Sequence, residues 1–217
     1  ESHTKLIVFE GLDGSGKTTL IQKIRKQLEK QGQEVITLQG LGSSSIGQPL
    51  RDIFLTNAQL KPLTRYLLSF ANMQQIQEEE IKPHLETNKI ILIDRWLGSN
   101  FAYQAYPRNI DKNYQLFNLL NKQFIKPDMT VYLKIKPQLG LERKQNQKDH
   151  KLDVIETHPL SYLRQVSQGY ELFLEIKNLG HKLILKEINS KTTLTNQNQI
   201  IKQIGVLSNG DHDSSNL

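Results

Sequence analysis

The sequence predicts an α/β fold in which helices flank one parallel sheet of five strands. Two features support this prediction. Short apolar runs alternate along the chain with longer stretches whose apolar residues recur at helical spacing, and a glycine-rich segment directly follows the first run. With 217 residues, 37% of them hydrophobic and 23% charged, the chain has the size and apolar content of one domain with a sizeable core.

The apolar runs have the length of buried strands. The candidate strands cover residues 6–9, 34–38, 89–93, 130–134 and 182–186. Helical spacing predicts helices over residues 17–31, 46–56, 62–88, 111–124, 137–147, 158–178 and 194–206. The polar, aperiodic segment 208–217 is predicted to be a disordered tail, so a single domain is expected over 5–207.

Composition narrows the classes of ligand and of protein. The formal net charge of +6 attracts phosphorylated ligands, but the 28 Lys and Arg residues are scattered along the chain. We therefore expect a small nucleotide ligand rather than nucleic acid. The alternative is that the positive charge only makes the surface basic and soluble and binds no specific ligand. The sequence has no cysteine and no apolar run of membrane-spanning length. We therefore expect no disulfide framework, no cysteine metal site and no membrane span, and a cytoplasmic location.

The most specific motif is the glycine-rich segment Gly11-Leu-Asp-Gly-Ser-Gly-Lys-Thr18. It satisfies the phosphate-loop pattern and lies between a predicted strand and a predicted helix, where backbone N–H groups can surround an anion. Lys17 is expected to reach the β- and γ-phosphates of a nucleotide, and the Thr18 hydroxyl to bind Mg²⁺. A turn that binds nothing is the alternative. The predicted nucleotide-binding residues of the loop are Gly11, Leu12, Asp13, Gly14, Ser15, Gly16, Lys17, Thr18 and Thr19.

A carboxylate and a guanidinium follow the third predicted strand. Asp94 and Arg95 come directly after the apolar run 89–93, so parallel strands would bring them beside the phosphate loop. Asp94 is expected to bind the metal or its waters, and Arg95 can bind a phosphate through two parallel hydrogen bonds. This combination favours transfer between two phosphorylated ligands, with an ordinary salt bridge as the alternative.

The segment Asp94-Arg-Trp-Leu-Gly-Ser-Asn-Phe-Ala-Tyr-Gln104 resembles the signature of the thymidylate kinase family. Other stretches are similar to family segments in the same order, namely 44–47 with Arg51, 81–83, 126–133 and 152–156. The resemblance implies a phosphate-loop NTPase fold of nucleoside monophosphate kinase type, with a short helical lid at about 142–156. It also implies an enzyme that uses ATP and Mg²⁺ to convert dTMP to dTDP, and a homodimer.

Carried over to this chain, the resemblance implies roles at the acceptor site. Asp13 is expected to meet the 3′-hydroxyl of the acceptor or a metal-bound water, and Arg95 to hold the acceptor phosphate in line. Asn100 is expected to read a pyrimidine edge and Tyr103 to exclude a 2′-hydroxyl, although Asn100 could instead cap a helix and Tyr103 could belong to the core. The predicted substrate-binding residues are Asp13, Arg51, Phe70, Gln74, Arg95, Ser99, Asn100 and Tyr103.

Two departures from the family pattern concern the acceptor. Gln39-Gly-Leu-Gly-Ser43 replaces the usual Arg-Glu-Pro-Gly-Gly of the second loop. No Arg follows Phe70, which is expected either to stack on the base or to belong to the core. Gln74 and Asn72 remain as candidates for the base edge, and because an amide can donate or accept, selectivity for thymine is left open.

A third departure concerns the cation at the transferred phosphoryl group. Ser15 stands where some family members carry Arg, so a lid cation is expected to serve, and Arg143 is the best candidate by its planar charge. Two other functions stay open, a kinase for another nucleoside monophosphate and a catalytically weak nucleotide-binding regulator. The predicted catalytic residues are Lys17, Asp13, Arg95 and Arg143.

Overall fold

A parallel sheet forms the centre of the protein. The structure is a computed structural model that describes residues 3–57, 59–110, 114–146, 159–175, 179–186, 189 and 191–208. The strands found there are β1 (Lys5–Gly11), β2 (Val35–Gln39), β3 (Ile90–Asp94), β4 (Met129–Lys134) and β5 (His181–Lys186). They form one five-stranded sheet in the order β2-β3-β1-β4-β5, with every pairing parallel. The predicted fold class is confirmed.

Helices flank this sheet. They are α1 (Lys17–Lys30), α2 (Gly47–Thr56), α3 (Pro62–Ile76), α4 (Leu97–Asn100), α5 (Gln115–Asn121), α6 (Pro137–Gln145), α7 (Leu160–Phe173) and α8 (Thr193–Ser208). No helix in the described ranges is long and apolar enough to cross a membrane. Most of the predicted lid at about 142–156 and all but the first residue of the predicted tail 208–217 lie outside the described residues.

Pro83 and Pro107 each follow a π-helical turn. The continuous helix predicted over 62–88 is instead α3, a π-helical turn over Gln77–Ile81 and a short 3-10 turn that contains Pro83. Proline lacks an N–H and its ring clashes with the carbonyl four residues earlier, so a wider turn precedes it. The same arrangement follows α4, where a π-helical turn over Phe101–Ala105 precedes Pro107. That second helical segment was absent from the predicted helices.

The two faces of β1 contribute to separate parts of the core. Val8 belongs to a buried cluster that includes residues of α3, α4 and α7, whereas Phe9 belongs to a cluster that includes residues of α1 and α8. Successive side chains of a strand point to opposite faces. The strand is therefore apolar on both faces, as its unbroken apolar run predicts for a covered parallel sheet.

The strand register brings the ends of β1, β2 and β3 together. Phe9 lies opposite Asp94 in the ladder between β1 and β3, and Gln39 lies opposite Asp94 in the ladder between β2 and β3. The loops that follow these strands therefore leave the sheet at the same edge. This edge carries the phosphate loop, Asp94 and Arg95 as neighbours.

Gly98 in α4 lies where packing leaves no room for a side chain. A Cβ atom there would be 2.7 Å from Cε1 of Phe173 and 2.9 Å from Cδ of Glu10. Gly98→Ala should lower the free energy of unfolding by about 1–3 kcal/mol, because overpacking forces a buried ring and a buried carboxyl group to move. Denaturant unfolding followed by circular dichroism measures this change.

Gly205 in α8 offers the matched control, since a Cβ atom there would meet no other atom within 4 Å. Gly205→Ala should leave the free energy of unfolding unchanged or raise it by up to about 1 kcal/mol, because alanine favours the helix. Equal losses of stability in the two variants would contradict the packing argument.

Candidate active site

The phosphate loop between β1 and α1 has the conformation that its glycines predict. Gly11, Gly14 and Gly16 have φ angles of 147°, 74° and 92°, a region that side chains disfavour. Gly16 directly precedes α1, so the unpaired N–H groups and the positive end of that helix face the loop. The loop is therefore suited to bind an anion through its backbone.

Lys17 is turned into this loop. Its side chain is buried, and its Nζ donates hydrogen bonds to the carbonyl oxygens of Gly11 (2.9 Å) and Leu12 (3.1 Å) and to Oγ of Ser15 (3.4 Å). Burial and, after it, the charge of Arg95 lower the pKa of Lys17 to about 8. A bound phosphate would favour the charged form of this ammonium group, which is already held at the loop.

Thr18 and Asp94 supply oxygen atoms of the kind that Mg²⁺ prefers. Oγ1 of Thr18 donates to Oδ2 of Asp94 at 2.9 Å, while Oδ1 of Asp94 is buried and has no hydrogen-bond partner in the described part of the chain. Within that part, no three His, Cys, Asp or Glu side chains gather to hold a metal. The pair therefore suits an ion that takes its other ligands from water and phosphates, as Mg²⁺ does. Thr19, the next predicted nucleotide contact, is exposed.

Asp13 and Arg95 form an ion pair between the phosphate loop and the end of β3. Nη2 of Arg95 lies 2.7 Å from Oδ1 of Asp13, and its guanidinium carbon lies 4.9 Å from the centre of the Tyr103 ring. Burial raises the pKa of Asp13, but the charges of Arg95 and Lys17 outweigh burial and hold that pKa well below its usual value. Asp13 is therefore an anion at neutral pH with two cations nearby.

Ser99, Asn100 and Tyr103 follow Arg95 on α4 and the adjoining π-helical turn. Asn100 is 4% exposed, and neither amide atom of its side chain has a hydrogen-bond partner among the described residues. Asn100 therefore does not cap a helix, and its amide is available to a polar ligand group. The Tyr103 ring is buried and supports the guanidinium of Arg95, while Oγ of Ser99 accepts a hydrogen bond from Arg95 at 3.4 Å.

Sequence reasoning missed two residues of this site, Glu10 and Tyr170. Oε1 of Glu10 accepts a hydrogen bond from the backbone N–H of Trp96 at 2.9 Å, and Oε2 accepts one from Ser99. The Tyr170 hydroxyl lies 3.1 Å from Nη1 of Arg95. Burial raises the pKa of both Glu10 and Tyr170. A glutamate at the end of an apolar run was the one signal for the first, and the sequence around Tyr170 carries no comparable signal.

Comparison with known proteins agrees with this geometry. The family model described as thymidylate kinase matches residues 9–197, which include the phosphate loop, Asp94 and Arg95. The chain belongs to the thymidylate kinase family. The family predicted from the motifs is therefore confirmed.

Curated relatives are similar over most of their length. The thymidylate kinase of Nostoc punctiforme is 39% identical over 172 residues, which cover 76% of this chain and 80% of the relative. The thymidylate kinase of Caldanaerobacter subterraneus subsp. tengcongensis is 32% identical over 199 residues, which cover 85% of this chain and 94% of the relative. That of Chlorobium luteolum is 32% identical over 208 residues, with coverage of 86% and 97%. The predicted enzyme class, a phosphotransferase, agrees with these relatives.

The thymidylate kinase pattern predicts a stacking ring and a base-reading side chain on α3. Phe70 is 5% exposed, and its ring centre lies 5.9 Å from that of Phe124. Nε2 of Gln74 donates to Glu78 at 2.7 Å, and its Oε1 accepts from Gln77 at 3.3 Å. Phe70 thus packs within an aromatic cluster and the Gln74 amide is bonded to its own helical segment, so a base contact by either residue stays a prediction.

The second loop, between β2 and α2, is hydrogen-bonded to the side-chain amide of Asn72 on α3. Nδ2 of Asn72 donates to the carbonyl oxygen of Gly40 at 3.0 Å, and Oδ1 accepts from Oγ of Ser44 at 2.9 Å. Asn72 is fully buried, so its amide supports this loop, and Gln74 remains as the candidate on α3 for the base edge. Arg51, the predicted phosphate contact, is half-buried on α2.

Arg143 lies on α6, which packs directly on the phosphate loop. Its Nη1 donates to the carbonyl oxygen of Gly14 at 3.3 Å. A Cβ atom on Gly140 would lie only 2.7 Å from the carbonyl oxygen of Asp13, so the backbone of α6 lies close to the phosphate loop at this point. The predicted lid cation is therefore already at the loop. The part of the lid beyond residue 146 lies outside the described residues.

Proposed function

We propose that this chain uses ATP and Mg²⁺ to phosphorylate a deoxynucleoside monophosphate, with dTMP as the preferred acceptor and dTDP and ADP as products. The contact between Arg95 and Asp13 carries the proposal. It joins a guanidinium suited to bind a phosphate to the loop proposed to bind the donor, at 2.7 Å. Donor and acceptor phosphates could therefore meet in line, which is the main requirement of phosphoryl transfer. The lack of cysteine fits the cytoplasm as the proposed location.

On the donor side, backbone N–H groups of the phosphate loop and the Lys17 ammonium group would hold the β- and γ-phosphates. Lys17 would exchange its bonds to the carbonyl oxygens of Gly11 and Leu12 for bonds to phosphate oxygens. Arg143 already contacts the carbonyl oxygen of Gly14, so a short movement would bring its planar cation to the transferred group. These two cations would offset the negative charge of that group.

Thr18 and Asp94 would hold the Mg²⁺ ion. The hydroxyl of Thr18 and the unpartnered oxygen of Asp94 are its protein ligands in this proposal. When bound, the ion supplies positive charge beside the donor phosphates. The Thr18 hydroxyl could keep its hydrogen bond to Oδ2 of Asp94, because its oxygen would face the ion through a lone pair.

On the acceptor side, Arg95 would bind the phosphate and Asp13 would meet the 3′-hydroxyl or a metal-bound water. Asn100 offers an unpartnered amide to the pyrimidine edge, because nothing in the described structure uses its donors or its acceptor. Tyr103 lies against Arg95 and would exclude a 2′-hydroxyl. The other proposed acceptor contacts are Arg51, Phe70, Gln74 and Ser99.

Removal of the donor-site charges tests the function directly. Lys17→Ala and Asp94→Asn should each lower kcat for dTMP by at least about a hundredfold, because the first removes a cation beside the transferred group and the second weakens the hold on Mg²⁺. A coupled assay of ADP release over a panel of nucleoside monophosphates measures this effect. The same panel separates the alternatives, since a different preferred acceptor indicates another monophosphate kinase and no turnover indicates a regulator.

Lys26 in α1 provides the control for Lys17. Lys26 is exposed, and its side chain points to the side of α1 opposite to that of Lys17. Lys26→Ala should therefore keep the rates of the wild type. Circular dichroism checks that every variant is folded. Near-normal ADP release by folded Lys17→Ala would reject the proposed donor site.

Selectivity for the base tests the position of Gln74. Gln74→Arg should raise the ratio of kcat/KM for dTMP over dCMP by roughly tenfold to a hundredfold, because a charge-assisted hydrogen bond to thymine replaces a neutral one. Steady-state rates with both acceptors measure the ratio. Gln75→Arg is the matched control, since it adds the same charge where the native side chain bonds Glu79. An unchanged ratio in Gln74→Arg would mean that the base is read elsewhere.

We also propose a homodimer that forms through α2 and α3. These helices contact each other, and four large apolar side chains on or beside them are exposed to solvent. They are Ile46 (40%), Ile53 (40%), Leu63 (49%) and Leu67 (44%). Leu63 and Leu67 are four residues apart and share one face of α3, and exposed apolar surface of this kind is stabilised by contact with a second surface. Because α3 also carries Phe70 and Gln74, this dimer face would adjoin the proposed acceptor site.

A charge in this face should weaken the dimer. Leu67→Glu should shift the chain towards monomer in sedimentation equilibrium, because the dimer would bury an unpaired carboxylate. Leu194→Glu is the control, since Leu194 is 63% exposed on α8, away from the proposed face. A wild-type chain that stays monomeric at micromolar concentration would contradict the proposal.

A further inference from the structure

A chain of buried hydroxyl and carboxyl groups lies behind Arg95. Nη1 of Arg95 donates to the hydroxyl of Tyr170 at 3.1 Å and to Oγ of Ser99 at 3.4 Å. Ser99 in turn donates to Glu10, and its Oγ lies 2.8 Å from the Tyr170 hydroxyl. The exposed fractions are 9% for Ser99, 1% for Glu10 and 0% for Tyr170. The guanidinium is therefore bonded on one side by groups that water barely reaches.

Chemistry fixes the direction of the hydrogen bonds along this chain. Arg95 has donors only, so both hydroxyls must accept from it and donate their own protons elsewhere. Ser99 donates to Glu10, and Tyr170 donates to the carbonyl oxygen of Gly11 at 3.2 Å. The other carboxyl oxygen of Glu10 accepts from the backbone N–H that follows Arg95, at 2.9 Å. Glu10 thus anchors the Ser99 hydroxyl and the backbone next to Arg95, and Gly11 anchors the Tyr170 hydroxyl.

The backbone of Arg95 is also held in an unusual conformation. Its φ is 69°, in the left-handed region that non-glycine residues rarely adopt. The N–H of Arg95 donates to the carbonyl oxygen of Phe9 at 2.9 Å. Gly40 packs so closely against this backbone that a Cβ atom on Gly40 would lie only 1.9 Å from the carbonyl oxygen of Arg95. A strained backbone conformation of this kind persists only where the surrounding contacts hold it in place. The backbone therefore fixes the start of the side chain, and the buried groups fix its end.

We propose that Glu10, Ser99 and Tyr170 are positioning residues that orient the guanidinium of Arg95 towards the phosphate of the acceptor. The inference rests on the proposed function, in which Arg95 binds that phosphate. Nη1 is held by the two hydroxyls and Nη2 by Asp13, so the guanidinium plane is fixed on two sides while Nε takes part in none of these contacts. An arginine oriented in advance loses less freedom when it binds a phosphate.

Tyr170→Phe tests this network because it removes the hydroxyl and keeps the buried ring. Calorimetric titration with dTMP and with thymidine, which lacks the phosphate, separates the phosphate contact from the rest of the acceptor site. Tyr170→Phe and Glu10→Gln should each raise Kd for dTMP by roughly fivefold to tenfold, because each loosens the hold on the guanidinium without removing a direct contact to the phosphate. Kd for thymidine should stay within about twofold of the wild type, since no phosphate contact is lost.

Tyr132→Phe is the matched control. Tyr132 is 1% exposed and its ring centre lies 5.2 Å from that of Tyr170, but its hydroxyl bonds Ser167 and not the groups behind Arg95. This variant should leave both dissociation constants unchanged. Thermal denaturation checks that each variant is folded, and Glu10→Gln carries the test alone if Tyr170→Phe is not.

Several results would overturn the inference. They are equal losses of affinity for dTMP and thymidine, a matching loss in Tyr132→Phe, and unchanged binding of dTMP in the folded variants. A wild type that binds dTMP no more tightly than thymidine would overturn it as well. Turnover of dTMP by the wild type is measured separately through ADP release, so failure of the proposed function is distinguishable from failure of the positioning role.

Discussion

The parallel register between β1 and β3 is the constraint on which the site depends. Because Phe9 lies opposite Asp94, the strand that leads into the phosphate loop and the strand that leads into Arg95 end side by side. A shift of one residue would turn every side chain of a strand to the opposite face of the sheet. The apolar clusters on both faces of β1 oppose such a shift. Packing away from the phosphates therefore sets the distance between Asp13 and Arg95.

The positive charges at this edge of the sheet are balanced by carboxylates of the protein itself. Lys17 and Arg95 are both cations at the edge of the sheet proposed to bind phosphates, and Asp13 lies near both, with its pKa held well below the usual value. Asp13 and Asp94 both favour the charged forms of these two poorly solvated cations, and loss of either carboxylate would be costly in a protein interior. Phosphate groups of a ligand would supply the same sign of charge. Asp13 thus keeps the cations in place until a ligand can replace part of its role.

The sequence could predict the parts of this structure whose signals are local. The strand predicted over 89–93 is observed as Ile90–Asp94, because a short apolar run between polar segments has few alternatives. The phosphate loop could be predicted equally well, since the spacing of its Gly, Lys and Thr residues is what phosphate binding requires. The positions of Glu10 and Tyr170 could not be read in this way. The Tyr170 hydroxyl bonds Gly11 across 159 residues of sequence, and no periodicity reports a contact of that range.

Recognition of the base is where this chain departs most from its family pattern, and the structure narrows the residues that can carry it. Asn72 is committed to the second loop, whereas the buried amide of Asn100 has no partner among the described residues. An unpaired buried polar group costs about 1–3 kcal/mol, which a base edge would offset. An amide can turn to present its donor and acceptor in either order, so the proposed contact of Asn100 would bind a pyrimidine edge without separating thymine from cytosine. That separation needs a second polar contact, and Gln74 can supply it only by leaving its exposed hydrogen bond to Glu78.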